Sequence, residues 1–379
     1  MKVLFICGSL ESGKDGVGDY TKKMALMCEE YGIKPLIIAI NDRYIDQMQS
    51  GYINNIPFLR IPKIMPIKYK LIEIEKYIAL ASPIDWISLQ FVPYSFNNKG
   101  LIYKYIKPLK RLFNGFKVHV MMHELWIGEE QQASFKNKYF GYLQKIFIIN
   151  LLKSIKPLVV NTSIPLYKHM LENADINTSI LPLFSNINYS PISNDRYLET
   201  IPEDIIVNKN NYIIGCIFGS IYHASWDMDS LFQILAKKSK SNGKKILIIS
   251  VGKISTGEEF WKELPLKHPD FEFLTIGIQD ETVISNLLYS FVDFGIVTTP
   301  AIIAGKSGTY MAFLEHGLPV FTKKNELSFN FDTSDCLLDE RLTQVDENYD
   351  LNLKSRSLPV SLINKTMEIF VNTFKKLNN

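Results

Sequence analysis

The residues best suited to phosphate chemistry are the Gly-Lys-Ser-Gly-Thr run at positions 305–309. The run follows a short apolar strand-like segment and opens a helical segment at 307–316, which Gly317 ends. Free N–H groups at a helix start, two hydroxyls and one ammonium group suit a diphosphate without a metal ion. The alternative is an ordinary capped helix beside a solvated lysine. The residues assigned to this phosphate site are Lys306, Ser307, Gly308 and Thr309.

Two further glycine-containing loops each follow a predicted first strand. Gly16 and Gly18 open the helix after the strand at 3–7, so we expect their N–H groups to face a bound anion. Neither this loop nor the second one has the compact spacing of a dinucleotide fingerprint, which disfavours a dehydrogenase. A plain strand-to-helix turn is the alternative interpretation. The second loop contains Gly219 and Ser220, followed by Tyr222, His223 and Trp226 as candidates for stacking on a base or a sugar.

His123 and Glu124 come directly after a predicted strand at 118–122. A histidine just past the carboxyl end of a parallel strand lies where titratable side chains meet substrate. We therefore predict that His123 contacts substrate and that Glu124 is a second catalytic candidate. A purely structural histidine is the alternative.

The segments around these residues alternate between apolar strand-like runs and helical stretches. Apolar runs at 3–7, 35–40, 86–91 and 118–122 predict parallel strands buried on both faces. A polar segment at 185–211 lacks periodicity, and we interpret it as a linker with a surface excursion. A second alternation starts at position 212. The pattern predicts an α/β protein of two Rossmann-like doubly wound domains, at 1–185 and 186–359, that face a ligand-binding cleft.

Several of these pieces, in their order, resemble the GT-B glycosyltransferases of family 4 (glycosyl transferases group 1). The resemblance implies sugar transfer from a nucleotide-diphosphate sugar, with the donor mainly on the second domain and the acceptor mainly on the first. It also implies that the C-terminal helix at 360–379 packs back on the first domain. The matching segments lie at 16–20, 90–94, 123–126, 160–163 and 315–320.

One departure from the family concerns two glutamates that usually lie eight positions apart. Counting back from Gly317 places Ala312 and Ala304 at those positions, and neither can hydrogen-bond a donor sugar. Glu315 lies one helical turn beyond Ala312 and is the candidate for a ribose contact. The family resemblance implies retention of configuration at the anomeric carbon. Without the glutamate pair, the sequence leaves both retention and inversion open.

Two other functions stay open on the sequence. A non-hydrolysing nucleotide-sugar epimerase would use acid–base carboxylates, for which the loop acids are Glu11, Asp15, Asp19 and Glu124. A catalytically silent partner subunit would keep the fold without the glutamate pair. We expect no metal requirement and no cofactor besides the donor substrate.

The composition is that of an ordinary globular chain. Of 379 residues, 46% are hydrophobic, and the four scattered cysteines predict neither a disulfide framework nor a zinc site. No apolar stretch approaches the ~18 residues of a membrane span. We therefore expect a cytoplasmic protein.

The net charge of +3 hides an asymmetry between the halves. Residues 1–185 carry 23 basic and 15 acidic side chains, whereas 186–379 carry 19 and 24. Residues 99–156 alone carry 11 basic and three acidic side chains. The simpler interpretation is a solvated basic face, and the other is docking on an anionic membrane surface at its inner face. The expected partners are a nucleotide-sugar donor and a glycan, lipid-linked or protein acceptor, with little support for nucleic acid.

Overall fold

The computed structural model describes residues 1–189, 195–221, 229–323, 327–334, 336, 341–345 and 355–378. The chain divides into two compact units. The first comprises Met1–Pro182, Leu327–Cys336 and Asn364–Asn379, and the second comprises Leu183–Glu326 and Leu337–Ile363. Each unit is built on one mainly parallel sheet, so the prediction of two α/β domains is confirmed.

The first unit contains an eight-stranded sheet in the order β3-β4-β2-β1-β5-β6-β7-β8. All neighbours are parallel except β3 and β4. Its strands are β1 (Lys2–Cys7), β2 (Lys34–Asp42), β3 (Gln49–Ile53), β4 (Ile56–Pro62), β5 (Trp86–Phe91), β6 (Lys117–Met122), β7 (Val159–Thr162) and β8 (Ser179–Ile180). Its first six helices are α1 (Gly16–Glu30), α2 (Ile67–Ala81), α3 (Pro93–Phe96), α4 (Tyr103–Phe113), α5 (Phe135–Ile155) and α6 (Pro165–Glu172).

The sequence analysis did not predict the β3–β4 hairpin. Most of β3 is accessible to solvent at the sheet edge, so it lacks the continuous apolar run by which the buried strands were found. The signal in the sequence that could have revealed the hairpin is its Asn-Asn turn. Asn54 and Asn55 both have positive φ, at 48° and 70°, as a two-residue hairpin turn requires.

The second unit contains a six-stranded parallel sheet in the order β11-β10-β9-β12-β13-β14. Its strands are β9 (Tyr212–Phe218), β10 (Lys245–Val251), β11 (Phe271–Gly277), β12 (Phe294–Ile296), β13 (Val320–Lys323) and β14 (Leu342–Val345). Its helices are α7 (Glu203–Val207), α8 (Asp229–Asn242), α9 (Glu258–Lys267), α10 (Glu281–Ser290) and α11 (Gly308–Glu315).

The segment at 185–211 has more regular structure than predicted. It contains a 3-10 helix at Asp195–Thr200 and α7, and the expectation that it lacks periodicity is wrong there. Tyr197, Ile201 and Ile205 are all buried and recur every four residues, which is the helical spacing that anchors the segment.

The last helix, α12 (Leu362–Asn378), covers one face of the first sheet. The ring of Phe374 stacks on Trp86 with centroids 4.2 Å apart, and the ring of Phe370 stacks on Phe5 at 6.0 Å. The indole N–H of Trp86 donates to the side chain of Asn378 at 3.0 Å. Among the described helices, none combines the length and the apolar composition that a bilayer span requires.

A buried carboxylate at the end of β2 fixes the loop that follows β1. One oxygen of Asp42 accepts from the Ser9 hydroxyl at 2.9 Å, and the other accepts from the Leu10 N–H at 3.1 Å and from Arg60 Nε at 2.7 Å. Burial alone would raise the pKa of Asp42. The hydrogen bonds from Arg60, two backbone N–H groups and Ser9 outweigh burial and hold the pKa below 3.8.

This carboxylate predicts a pH-dependent contribution to stability. Asp42→Asn removes the charge that Arg60 requires, so we expect the free energy of unfolding at pH 7 to fall by about 3 kcal/mol. Because the folded-state pKa is depressed, the wild-type contribution is present above about pH 4 and is lost as the pH falls further. The difference between wild type and variant should therefore narrow at pH 3.5.

Urea unfolding at both pH values measures this difference, with Asp46→Asn at an exposed position of the same loop region as the control. If wild type and Asp42→Asn differed equally in free energy of unfolding at the two pH values, the stabilising role of the Asp42 charge would be contradicted.

Candidate functional site

In the second unit, the predicted phosphate-binding residues gather at the carboxyl end of β9. In the sheet, β9 lies between β10 and β12, so successive strands are added first on one edge of β9 and later on its other edge. Loops that leave such a switch point are where parallel sheets bind ligands. The loop after β9 contains Gly219 and Ser220, and the chain after β12 leads to α11.

Two hydrogen bonds join these loops. The Thr309 hydroxyl donates to the Phe218 carbonyl at 3.0 Å, and the Thr298 hydroxyl donates to the Ser220 carbonyl at 3.4 Å. Gly219 has φ +79°, and a Cβ there would lie 3.5 Å from Thr309 Oγ1. The structure therefore brings Gly219 and Ser220 together with the start of α11.

The first turn of α11 offers backbone donors. The Ser307 hydroxyl caps the helix by accepting from the Tyr310 N–H at 3.4 Å. Among the described residues, the N–H groups of Gly308 and Thr309 donate no backbone hydrogen bond. Gly308 is exposed, and Lys306 ends the 3-10 helix Ala301–Lys306 that precedes the cap. Two unused N–H groups at the positive end of a helix suit an anion.

A glycine on the neighbouring strand sets the position of α11. A Cβ on Gly295 of β12 would lie 2.4 Å from the ring of Phe313, so only glycine lets the helix lie this close to the strand. The sheet therefore determines where the N–H groups of Gly308 and Thr309 are held.

Glu315 lies at the other end of the same helix, about 10 Å from Gly308 by helix geometry. It is buried, and its carboxylate accepts from the Ser185 N–H at 3.0 Å. The structure does not bring Glu315 to the phosphate-binding residues, and its ribose contact stays a prediction.

In the first unit, the start of α1 is already capped by a carboxylate. The Gly18 N–H, which we predicted to face an anion, donates to Asp15 Oδ1 at 2.9 Å. A Cβ on Gly18 would lie 2.2 Å from the Ser9 carbonyl oxygen, so Gly18 is required for close packing. A Cβ on Gly16 would have nothing within 4 Å, so that position does not require glycine for packing. The capping charge of Asp15 makes this helix start less suited to an anion than that of α11.

His123 is buried beside this turn. Its ring meets Tyr20 of α1 edge-on, with centroids 4.9 Å apart, and its backbone N–H donates to the Phe91 carbonyl at 3.0 Å. Glu124 follows at partial exposure. The structure thus brings His123 together with the α1 turn that begins at Gly16.

A chain of side-chain hydrogen bonds runs from His123 across the three neighbouring strands β5, β6 and β7. His123 Nε2 lies 2.9 Å from Gln90 Oε1, and the Gln90 amide donates to Ser88 Oγ at 2.8 Å. Ser88 Oγ lies 2.8 Å from His119 Nδ1, and His119 Nε2 lies 3.0 Å from Asn161 Oδ1. We call this series of groups the polar relay.

The far end of the polar relay determines which of its atoms donate and which accept. The Asn161 amide donates to the backbone carbonyl of Ser179 at 3.1 Å, and because a carbonyl only accepts, Asn161 presents its oxygen to His119. His119 therefore carries its proton on Nε2 and accepts the Ser88 hydroxyl on Nδ1.

The same donor and acceptor argument determines the proton position of His123. The Ser88 oxygen accepts from the Gln90 amide, so the Gln90 oxygen faces His123 and holds the proton of that ring on Nε2. Burial, with His119 nearby, lowers the pKa of His123 to about 3, and burial lowers the pKa of His119 to about 4. His123 is thus a neutral imidazole whose Nδ1 lone pair is the remaining acceptor.

Sequence reasoning did not assign functional roles to the other members of the polar relay. The available signal was a set of polar side chains inside otherwise apolar, fully buried strands. Such residues need partners of their own kind. The members are Ser88, Gln90, His119 and Asn161.

The stacking candidates Tyr222, His223 and Trp226 lie outside the described residues. Within the described ranges, no group of three or more His, Cys, Asp or Glu side chains has an arrangement that could hold a metal ion.

No protein-family model matches the sequence, and a search of curated proteins found no significant relative. Solved structures do match. Anabaena Alr3699/HepE in complex with UDP has a TM-score of 0.54 at 15% identity, covering 98% of this chain and 91% of that chain. The catalytic domain of Arabidopsis thaliana starch synthase IV, bound to ADP and acarbose, has a TM-score of 0.54 at 12% identity, with coverages of 99% and 92%.

A third solved structure, UDP-GlcNAc 2-epimerase from Methanocaldococcus jannaschii, matches as well. It has a TM-score of 0.54 at 12% identity, covering 99% of this chain and all of that chain. At these identities the likeness concerns the fold. The chain therefore has the fold of the GT-B glycosyltransferases, which the epimerase shares.

Proposed function

We propose that this protein is a glycosyltransferase that moves a sugar from a nucleotide-diphosphate sugar to a glycan, lipid-linked or protein acceptor. The observation that carries the proposal is the start of α11. There, the N–H groups of Gly308 and Thr309 have no hydrogen-bond acceptor among the described residues, and Lys306 lies two residues before Gly308. The proposal includes the family 4 type, which rests on the sequence resemblance, and a cytoplasmic location, which rests on the hydropathy of the sequence.

The proposed mechanism is stabilisation of the leaving group. When the anomeric C–O bond breaks, its electron pair stays on the β-phosphate oxygen of the nucleoside diphosphate. The N–H groups of Gly308 and Thr309, the dipole of α11 and the Lys306 ammonium meet this charge where it develops. The acceptor hydroxyl forms the new bond to the anomeric carbon and loses its proton. The mechanism assigns no step to a metal ion.

His123 has a proposed role that follows from its protonation. As a neutral ring with Nδ1 as the remaining acceptor, it accepts a hydrogen bond from a hydroxyl of the transferred sugar or of the acceptor. A pKa of about 3 keeps this state constant throughout the neutral range. Glu124, next in the chain, is proposed as a second contact at this end of β6.

The stereochemical outcome is proposed to be retention, as the family resemblance implies. Ala304 and Ala312 are both fully buried, so neither position supplies the acidic contact of the family. Retention would then depend on the phosphate-binding residues and His123. The anomeric configuration of the product, read by NMR, decides between retention and inversion.

A nucleotide-sugar epimerase is the second candidate, favoured by the match to the archaeal epimerase. Three of the four loop acids available for it already serve the fold. Glu11 pairs with Arg60 at 2.7 Å, Asp15 caps α1, and Asp19 pairs with Lys22 at 2.7 Å. These contacts favour transfer over epimerisation, and product analysis with and without acceptor separates the two.

Replacing Lys306 tests the leaving-group mechanism. We expect Lys306→Ala to lower kcat about 100-fold, because one preorganised donor to a developing anion contributes that much at comparable sites. The melting temperature should change by no more than ~2 °C, since the residue is partly exposed. Lys262→Ala, at an exposed position on α9, is the matched control. Unchanged kinetics in a folded Lys306→Ala variant would refute the role of Lys306.

Replacing Ser88 tests the polar relay separately. Ser88→Ala removes the hydroxyl that joins Gln90 to His119, so His123 loses its fixed proton position. We expect kcat to fall roughly tenfold, and ¹⁵N NMR of the imidazoles to show a mixture of His123 tautomers where wild type shows the Nε2–H form alone.

The control is Ser250→Ala, because Ser250 is also a buried strand serine and its hydroxyl has no partner among the described residues. A single Nε2–H tautomer in Ser88→Ala would show that the polar relay does not position His123.

A further inference from the structure

Helix α5 is apolar on two opposite faces, and the structure covers only one of them. The buried face points into the first unit and includes Gln144, Ile148 and Leu151. The opposite face consists of side chains spaced four, three and four residues apart, which place them in one line along the helix. They are Phe135, Tyr139, Tyr142 and Ile146, exposed by 94%, 62%, 63% and 40%.

This line of exposed side chains is unusual for a surface helix. A helix that is apolar all round is normally buried all round, because exposed aromatic area is costly in water. Phe135 has no polar group at all and is almost completely exposed. The tyrosines carry a polar hydroxyl at the end of an apolar ring, which suits an interface between apolar and aqueous phases.

Basic side chains flank the line. Lys136 and Lys138 are exposed within the first turn of α5, and Lys153 is exposed near its end, in line with Phe135 and Ile146 by helical spacing. Within the described part of the chain, none of these three lysines forms an ion pair with a carboxylate.

Helix α4 extends this surface. It packs against α5 through Tyr103 and Phe147, whose ring centroids are 5.6 Å apart. Its buried face is apolar, and its exposed face is basic. The exposed basic residues of α4 are Lys104, Lys107, Lys110 and Arg111, of which Arg111 pairs with Glu75 at 3.1 Å.

We propose that the exposed faces of α4 and α5 dock on an anionic lipid bilayer. Phe135, Tyr139, Tyr142 and Ile146 enter the headgroup region, and the lysines contact lipid phosphates. Charge complementarity selects this occupant, because excess positive charge around an aromatic–aliphatic line matches an anionic interface. A second copy of the chain would bring the same positive charge to this surface and would be repelled. Only a patch without that charge would suit a second copy.

Vesicle co-sedimentation of the full chain tests the proposal, and no sugar donor is needed. We expect binding to vesicles of phosphatidylglycerol and phosphatidylcholine at low salt, and weak binding to pure phosphatidylcholine. The triple variant F135S/Y139S/Y142S should lower the partition coefficient at least ~tenfold. The charge variant K136E/K138E should lower it about 25-fold, at about fivefold for each lysine.

Matched controls separate the surface from general effects. Tyr52→Ser with Tyr69→Ser removes two exposed tyrosines elsewhere in the first unit. K237E/K240E on α8 changes the net charge by the same amount as K136E/K138E. Both controls should bind vesicles like wild type, and all variants should melt like wild type because every changed residue is exposed.

A tryptophan at Phe135 gives a second readout. Phe135→Trp should show a blue-shifted emission when anionic vesicles are added, relative to wild type with its own four tryptophans. Absence of binding at low salt, or equal binding by the triple variant and wild type, would overturn the proposal. A dimer in sedimentation that F135S/Y139S/Y142S dissociates would assign the surface to a second copy instead. Either failure leaves the proposed sugar transfer untouched, because the two claims concern different residues.

Discussion

A parallel sheet covered on both faces leaves a buried polar side chain few ways to be satisfied, and the first unit depends on this constraint. Ser88, Gln90, His119 and Asn161 lie in strands without contact to bulk water, so they bond to one another until Asn161 reaches the Ser179 carbonyl. Since each link must have one donor and one acceptor, the carbonyl fixes every proton in the series. The state of His123 at the sheet edge is therefore set by the sheet interior.

The starts of helices α1 and α11, the two predicted anion-binding helix starts, are capped differently, and the difference bears on function. In the first unit, Asp15 occupies the Gly18 N–H and adds a negative charge. In the second, the Ser307 cap is neutral and satisfies only the Tyr310 N–H. A negatively charged leaving group is thus accommodated at α11 more readily than at α1. This contrast supports the proposed binding of the donor on the second unit.

Much of the fold could be predicted because buried parallel strands are continuous apolar runs, and β5 begins and ends where the run at 86–91 does. The β3–β4 hairpin was missed because an exposed edge strand lacks that pattern. In the site, the proximity of the loops that contain Gly219 and Thr309 could be predicted, because both leave the carboxyl ends of strands in one parallel sheet. The polar relay does not, because it requires knowing which strands are neighbours, and chain order places Ser88 and His119 31 residues apart.

The central claim is that a nucleoside diphosphate binds at the start of α11. Titration of ¹⁵N-labelled protein with UDP and, separately, ADP tests it directly through the backbone amide resonances. The account predicts saturable shifts that are largest at Gly308 and Thr309, with Gly18 little changed because its N–H already has an acceptor. Shifts centred on Gly18 and absent from Gly308 and Thr309 would contradict it.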